Sequence, residues 1–120
     1  MKIAISTSGQ DLNSSVDPRF GRAKGFIVFD TISREFEYVD NKQNLNAAQG
    51  AGIQSGKIVS DTGAEVVITG HCGPKAFMTL KTAGIKVYTG AQGSVQNAID
   101  MFEKEELVES HVADVQGHWM

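Results

Sequence analysis

EVVITGHCGPKAF, residues 65–77, passes from a run of β-branched residues, through a His-Cys pair flanked by glycines, into apolar residues at helical spacing. Glu65–Thr69 reads as a central strand, because near-continuous Val and Ile suit a strand covered on both faces. Pro74 fits the first turn of a helix over 74–83, and Gly84 fits its C-terminal cap. A doubly covered strand followed at once by a helix indicates layered α/β architecture.

The rest of the chain repeats this alternation. Lys2–Ser6 and Ile85–Tyr88 are short apolar strands. Phe26–Asp30 and Glu35–Asp40 flank Thr31–Arg34 and read as an antiparallel hairpin, with Phe36 and Tyr38 alternating against Glu35 and Glu37 as on a sheet with one wet face. Residues 48–61, with small or apolar positions at Ala48, Gly52, Ser55 and Val59, read as a glycine-rich helix packed closely on the sheet. Val95, Ala98, Ile99 and Phe102 form a helical stripe over 94–105, with Ser94 as its N-cap. The expected order is β-β-β-α-β-α-β-α: an α/β domain of three layers (α/β/α) with a mixed five-stranded sheet over residues 1–106. Residues 107–120 read as an acidic, loosely attached, flexible tail.

Composition narrows the function classes. The chain has 120 residues, 41% apolar and 21% charged, as expected of one soluble domain. No apolar run is long enough to span a bilayer, and MKIAIS at the start has no signal-peptide layout. A single cysteine points to a reducing cytoplasm. Of fourteen acids and eleven bases, residues 100–120 hold six acids and one base, which leaves a body only slightly basic. That excess is too small for nucleic acid, and no membrane partner is expected.

Three strands run into loops of one character: Ser6-Thr7-Ser8-Gly9, Gly70-His71-Cys72-Gly73, and Thr89 to Ser94 with Gly90 and Gly93. In an open α/β sheet, ligands bind outside the carboxyl ends of the strands. Glycines there admit backbone amides to a ligand, and two of these loops lead into helix N-termini, which favours an anion. The same glycines are also the ordinary residues of tight βα turns. The long loop after the first strand adds Arg19, Arg22 and Lys24. Arginine forks onto oxyanions, although Arg19 could instead pair with Asp17. Phe20, between the arginines, is either a ligand contact or an anchor into the core.

Cys72 leaves two main readings open. A nucleophile would need a base, and the adjacent His71 is poorly directed for that. Zinc would need four ligands, which one cysteine and three scattered histidines do not supply. A soft thiolate contact to a copper- or iron-containing ligand, with His71 adding an imidazole, is chemically suitable; so is a small buried residue at a strand end. Gly50–Lys57 fails as a Walker A loop, since Ala51 and Ile58 stand where glycine and Ser or Thr are required. No G-x-S-x-G elbow is present, and the strand ends lack the acid clusters of two-metal nucleases.

In combination, MKIAISTSG at 1–9, VDPRFGRA at 16–23, GAEVVITGHCGPKA at 63–76 and GIKVY at 84–88 resemble the dinitrogenase iron–molybdenum cofactor biosynthesis family, which includes NifX, NifY and the C-terminal domain of NifB. The resemblance implies an RNase H-like fold whose second strand is antiparallel. It implies no enzymatic turnover, but binding or carriage of an anionic metal–sulfur cluster or its precursor, containing Mo, Fe or Cu with sulfide; one stand-alone relative holds a molybdenum–copper sulfide cluster without covalent attachment. Cluster-assembly proteins or an ATPase are the implied partners. The alternatives from other classes are a regulatory or scaffold module that binds an anionic metabolite or a protein, and a redox protein built on Cys72.

Overall fold

The computed structural model describes residues 1–44 and 50–113. Ala48, assigned above to a helix start, and Asp114, His118, Trp119 and Met120 lie outside them. The strands are β1 (Lys2–Thr7), β2 (Gly25–Asp30), β3 (Phe36–Asp40), β4 (Val66–Ile68), β5 (Lys86–Tyr88) and β6 (Glu109–Ser110); the helices are α1 (Ala51–Asp61), α2 (Pro74–Thr82) and α3 (Val95–Glu103).

They form one sheet in the order β3-β2-β1-β4-β5-β6. β1, β4 and β5 are parallel neighbours, with Ile3 beside Val66 and Val66 beside Lys86. β2 runs antiparallel to β1 and β3 antiparallel to β2, as the hairpin reading requires. The expected count of five strands is corrected to six. Glu109 and Ser110 pair antiparallel with Tyr88 and Val87, held by a 3.6 Å contact of Lys81 Nζ with Glu109 Oε2 and by a 2.6 Å hydrogen bond between the Thr89 and Ser110 hydroxyls. Two residues with no apolar alternation carry no strand signal, so only the bare edge of β5 reveals this one.

Both sheet faces are covered. Ala4, Phe26, Val28, Val67 and Val87 pack with Val59 of α1 and Ala76 and Leu80 of α2. Ile3, Ile5, Ile27, Phe29, Val66 and Ile68 pack with Val95, Ala98 and Ile99 of α3. The alternation of a strand, period two, thus sends Val67 to one core and its neighbours Val66 and Ile68 to the other. Phe36, expected on a buried face with Tyr38, is 41% exposed because it begins the outermost strand. Ser94 caps α3 by accepting the Asn97 amide at 3.0 Å, and Gly84, at φ 78°, follows the end of α2.

The glycines of α1 serve neighbours other than the sheet. A Cβ on Gly56 would lie 2.8 Å from Thr79 Cγ2, so that glycine admits α2; a Cβ on Gly21 would lie 3.1 Å from the Gly52 backbone, so the arginine loop sits directly on α1. No helix among the described residues is long and apolar enough to cross a membrane.

A clamp ties the β2–β3 turn to α3. Arg34, in the left-handed region at φ 67°, forks onto both Glu103 oxygens, with Nη2 to Oε1 at 3.0 Å, and lies 4.9 Å from the Phe29 ring centroid. Hydrogen bonding to Arg34 lowers the Glu103 pKa. A depressed folded-state carboxylate stabilises above its unfolded pKa and loses that contribution as pH falls through the folded value. Urea melts from pH 6 to pH 3 should therefore show a steeper loss for the wild type than for Glu103→Gln, with the two converging at the acid end.

Candidate functional site

Because β1, β4 and β5 are adjacent and parallel, their three glycine loops do share one edge. That edge is not an open cradle. Residues 14–20 run across it and are stitched to every element they cross. On the α3 side, Ser8 N donates to Ser15 O at 3.0 Å, Val16 N to Gly93 O at 2.9 Å, Val95 N to Ser14 O at 2.8 Å and Gln96 N to Leu12 O at 2.9 Å. The N-terminal amides of α3 are thereby spent on the chain's own carbonyls and on the Ser94 hydroxyl, which removes this helix end as the anion donor expected from the loop pattern. α2 opens on Pro74, which has no amide hydrogen.

On the α1/α2 side, Arg19 bridges to His71 in parallel register. His71 N donates to Pro18 O at 2.7 Å, and Phe20 N to His71 O at 3.2 Å. Gly70 makes this approach possible: a Cβ there would lie 2.7 Å from Pro18 Cα and 2.8 Å from its oxygen. The Gly90 amide then donates to Gly70 O at 2.9 Å, tying the β5 loop to the β4 loop.

The site candidates separate by exposure. Arg19, Ser8, Gly90 and Gly93 are exposed; Gly9, Arg22 and His71 are half-buried. Ser6, Thr7, Gly70, Cys72 and Gly73 are buried, and Phe20 is fully enclosed, its ring 5.2 Å from that of Phe26. Ser6 Oγ donates to Asp17 O at 2.7 Å and lies 2.7 Å from Thr69 Oγ1, so its hydroxyl braces the loop. Cys72 belongs to the core cluster beneath α1 and α2, with Phe20, Ala76 and Leu80. Among the described residues, no three or more His, Cys, Asp or Glu side chains gather as a metal-ion site. His111 is exposed, beyond β6.

Two sets of residues position the loop: the Asp17–Arg19 pair that the sequence offered as an alternative, and a second set that carries no sequence signal. Asp17 Oδ1 accepts the Arg19 amide at 3.0 Å and lies 4.0 Å from Arg19 Nε. Asn41, fully buried, donates from Nδ2 to Ala23 O at 2.9 Å and to Ser55 Oγ at 3.0 Å, and Ser55 Oγ donates to Gly21 O at 2.8 Å. These bonds pin the far end of the arginine loop to α1. Asn41 stands just after a strand and Ser55 amid the glycines of α1, and neither position carries a motif.

The family model described as dinitrogenase iron-molybdenum cofactor matches residues 1–105. The chain belongs to that family. Among solved structures, the apo form of the orange protein from Desulfovibrio gigas is 38% identical, with a TM-score of 0.93 over 95% of this chain and 96% of that one. The NMR structure of the Thermotoga protein TM1290 is 42% identical, with a TM-score of 0.80 over 90% and 91% of the two chains. A Methanocaldococcus jannaschii protein, MJ0580, is 29% identical over 109 residues, 89% of each chain.

The tight Gly70–Pro18 approach makes a definite prediction. Gly70→Ala must push the two loops apart, and overpacking of this kind costs about 2 kcal/mol. Urea denaturation should show that loss, while Gly90→Ala, where a Cβ meets open space, should cost only the strain of its left-handed backbone, about 1 kcal/mol.

Proposed function

We propose that this protein is a non-catalytic carrier that holds an anionic metal–sulfur cluster, or a precursor of one, against the stitched arginine loop and the β4–α2 turn. The observation that supports the reading is the backbone pairing of Pro18–Phe20 with His71, which braces the exposed Arg19 beside His71, with Arg22 three residues further along the same loop, in a chain of the dinitrogenase iron-molybdenum cofactor family. A bulky sulfide-rich anion suits such a surface, because guanidinium groups supply charge and forked donors, and are weakly hydrated enough to lie against a soft, flat face.

Cys72 and His71 were the candidate metal ligands. Burial of Cys72 in the core supports holding the cargo by charge and hydrogen bonds, with the thiol as packing. Molybdenum and copper with sulfide are the cargo favoured by the resemblance to the stand-alone relative, and iron-containing precursors by the wider family. Cluster-assembly proteins are the partners this role calls for, and a reducing cytoplasm is the compartment that suits an oxygen-sensitive cargo and a lone thiol.

The test is anaerobic titration with tetrathiomolybdate and Cu(I), followed by visible absorption and metal analysis after desalting. The wild type should retain molybdenum and copper with sulfide in fixed ratio. Arg19→Ala/Arg22→Ala should lose at least about tenfold in affinity, as expected for two charge-assisted contacts. Cys72→Ala should retain the cargo while losing about 1 kcal/mol of stability from the emptied core position. Loss of cargo in folded Cys72→Ala would instead make the thiol a ligand, and equal retention by the double arginine variant would remove this surface as the site.

A further inference from the structure

Asp17 holds a carboxylate beside Arg19, an exposed cation of the loop. The residue is 8% exposed. Its amide donates to Ser6 O at 2.9 Å, and its carbonyl accepts the Ser6 hydroxyl at 2.7 Å. Its Oδ1 accepts the Arg19 amide at 3.0 Å, so the carboxylate is locked in a turn with Arg19 Nε 4.0 Å away. The Arg19 side chain is 46% exposed and extends from this pair toward solvent.

The turn itself needs an acceptor oxygen and not a charge. Asparagine supplies the same Oδ1 and forms the same turn. The negative charge must therefore be judged by its effect on what Arg19 binds, and repulsion falls with distance. A small oxyanion seated on the guanidinium places all of its charge close to Asp17. A bulky anion with charge spread over many sulfide or metal centres keeps most of it farther off.

We propose that Asp17 is a specificity-determining residue: its fixed charge keeps small, charge-dense oxyanions off Arg19 while bulky, charge-diffuse anions still bind. This rests on the reading that Arg19 is an anion contact, and the experiment separates the two.

Sulfate and tetrathiomolybdate are titrated separately into the wild type, Asp17→Asn and Asp17→Asn/Arg19→Ala at low ionic strength, where screening is least, with thermal melting to confirm folding. Asp17→Asn should bind sulfate about tenfold more tightly than the wild type, and the gain for tetrathiomolybdate, whose charge centre sits farther from Asp17, should be smaller. The sulfate gain should vanish in the double variant. Equal gains for both anions, or no sulfate gain in the folded variant, would overturn the proposal. If Asp17→Asn does not fold, Asp17→Ser, which keeps a short neutral acceptor, carries the same expectation. A sulfate gain that depends on Arg19, in a chain that binds no tetrathiomolybdate, would uphold exclusion by Asp17 and sink the cluster-carrier reading alone.

Discussion

Residues 14–20 lie across the carboxyl ends of the parallel strands as an irregular extra strand, and the rest of the site depends on the backbone hydrogen bonds that hold them there. The segment exchanges bonds with β1 through Ser6, with the β4–α2 turn through His71, and with the start of α3 through Gly93 and Val95. Buried amides and carbonyls left without partners would each cost on the order of 1–3 kcal/mol, so the loop can be displaced only by breaking several bonds at once. Phe20 adds an aromatic anchor on the α1/α2 side and Val16 an aliphatic one on the α3 side.

This arrangement changes how the switch point of the sheet works. In an open α/β sheet the crevice beyond the strand ends receives the ligand. Here the chain fills its own crevice and carries its cations to the outer surface of the filling. Helix-end amides at α3 become structural, while Arg19 stays exposed on the filling. A cavity of about 180 Å³ does exist, but at the opposite end of β1, where Asp30, Glu35 and Glu37 outnumber Lys2. Those acids would repel an anion, and the cavity shares no residue with the braced loop.

The site is also rigid for reasons unrelated to ligand contact. Ser6 and Thr69, at the ends of two parallel strands, meet each other's hydroxyls beneath the loop, and Asn41 with Ser55 fixes its exit. Such satisfied buried polar networks rigidify their surroundings and specify one arrangement. Candidate residues chosen for their proximity to a ligand thus divide into those that face outward, such as Arg19, and those that hold the loop, such as Ser6 and Phe20.

Several features could be read from residue order alone because their causes are local. β-branched residues at 66–68, the helical stripe from Val95 to Phe102, the Ser94 cap and the turn chemistry of Thr31–Arg34 all act within a few positions of themselves. The α/β layering followed from them, while the shared edge followed only once β1, β4 and β5 proved adjacent and parallel. The family motifs marked the arginine loop and the His71-Cys72 turn as belonging together, but not how they meet. The sixth strand, the closure of the edge by residues 14–20, the inward turn of Cys72 and the bracing by Asn41 and Ser55 were decided only in three dimensions. Most of these depend on partners from separate segments, such as Pro18 with His71 or Gly21 with Ser55, and a hydrogen bond between separate segments leaves no periodic trace in the chain that makes it.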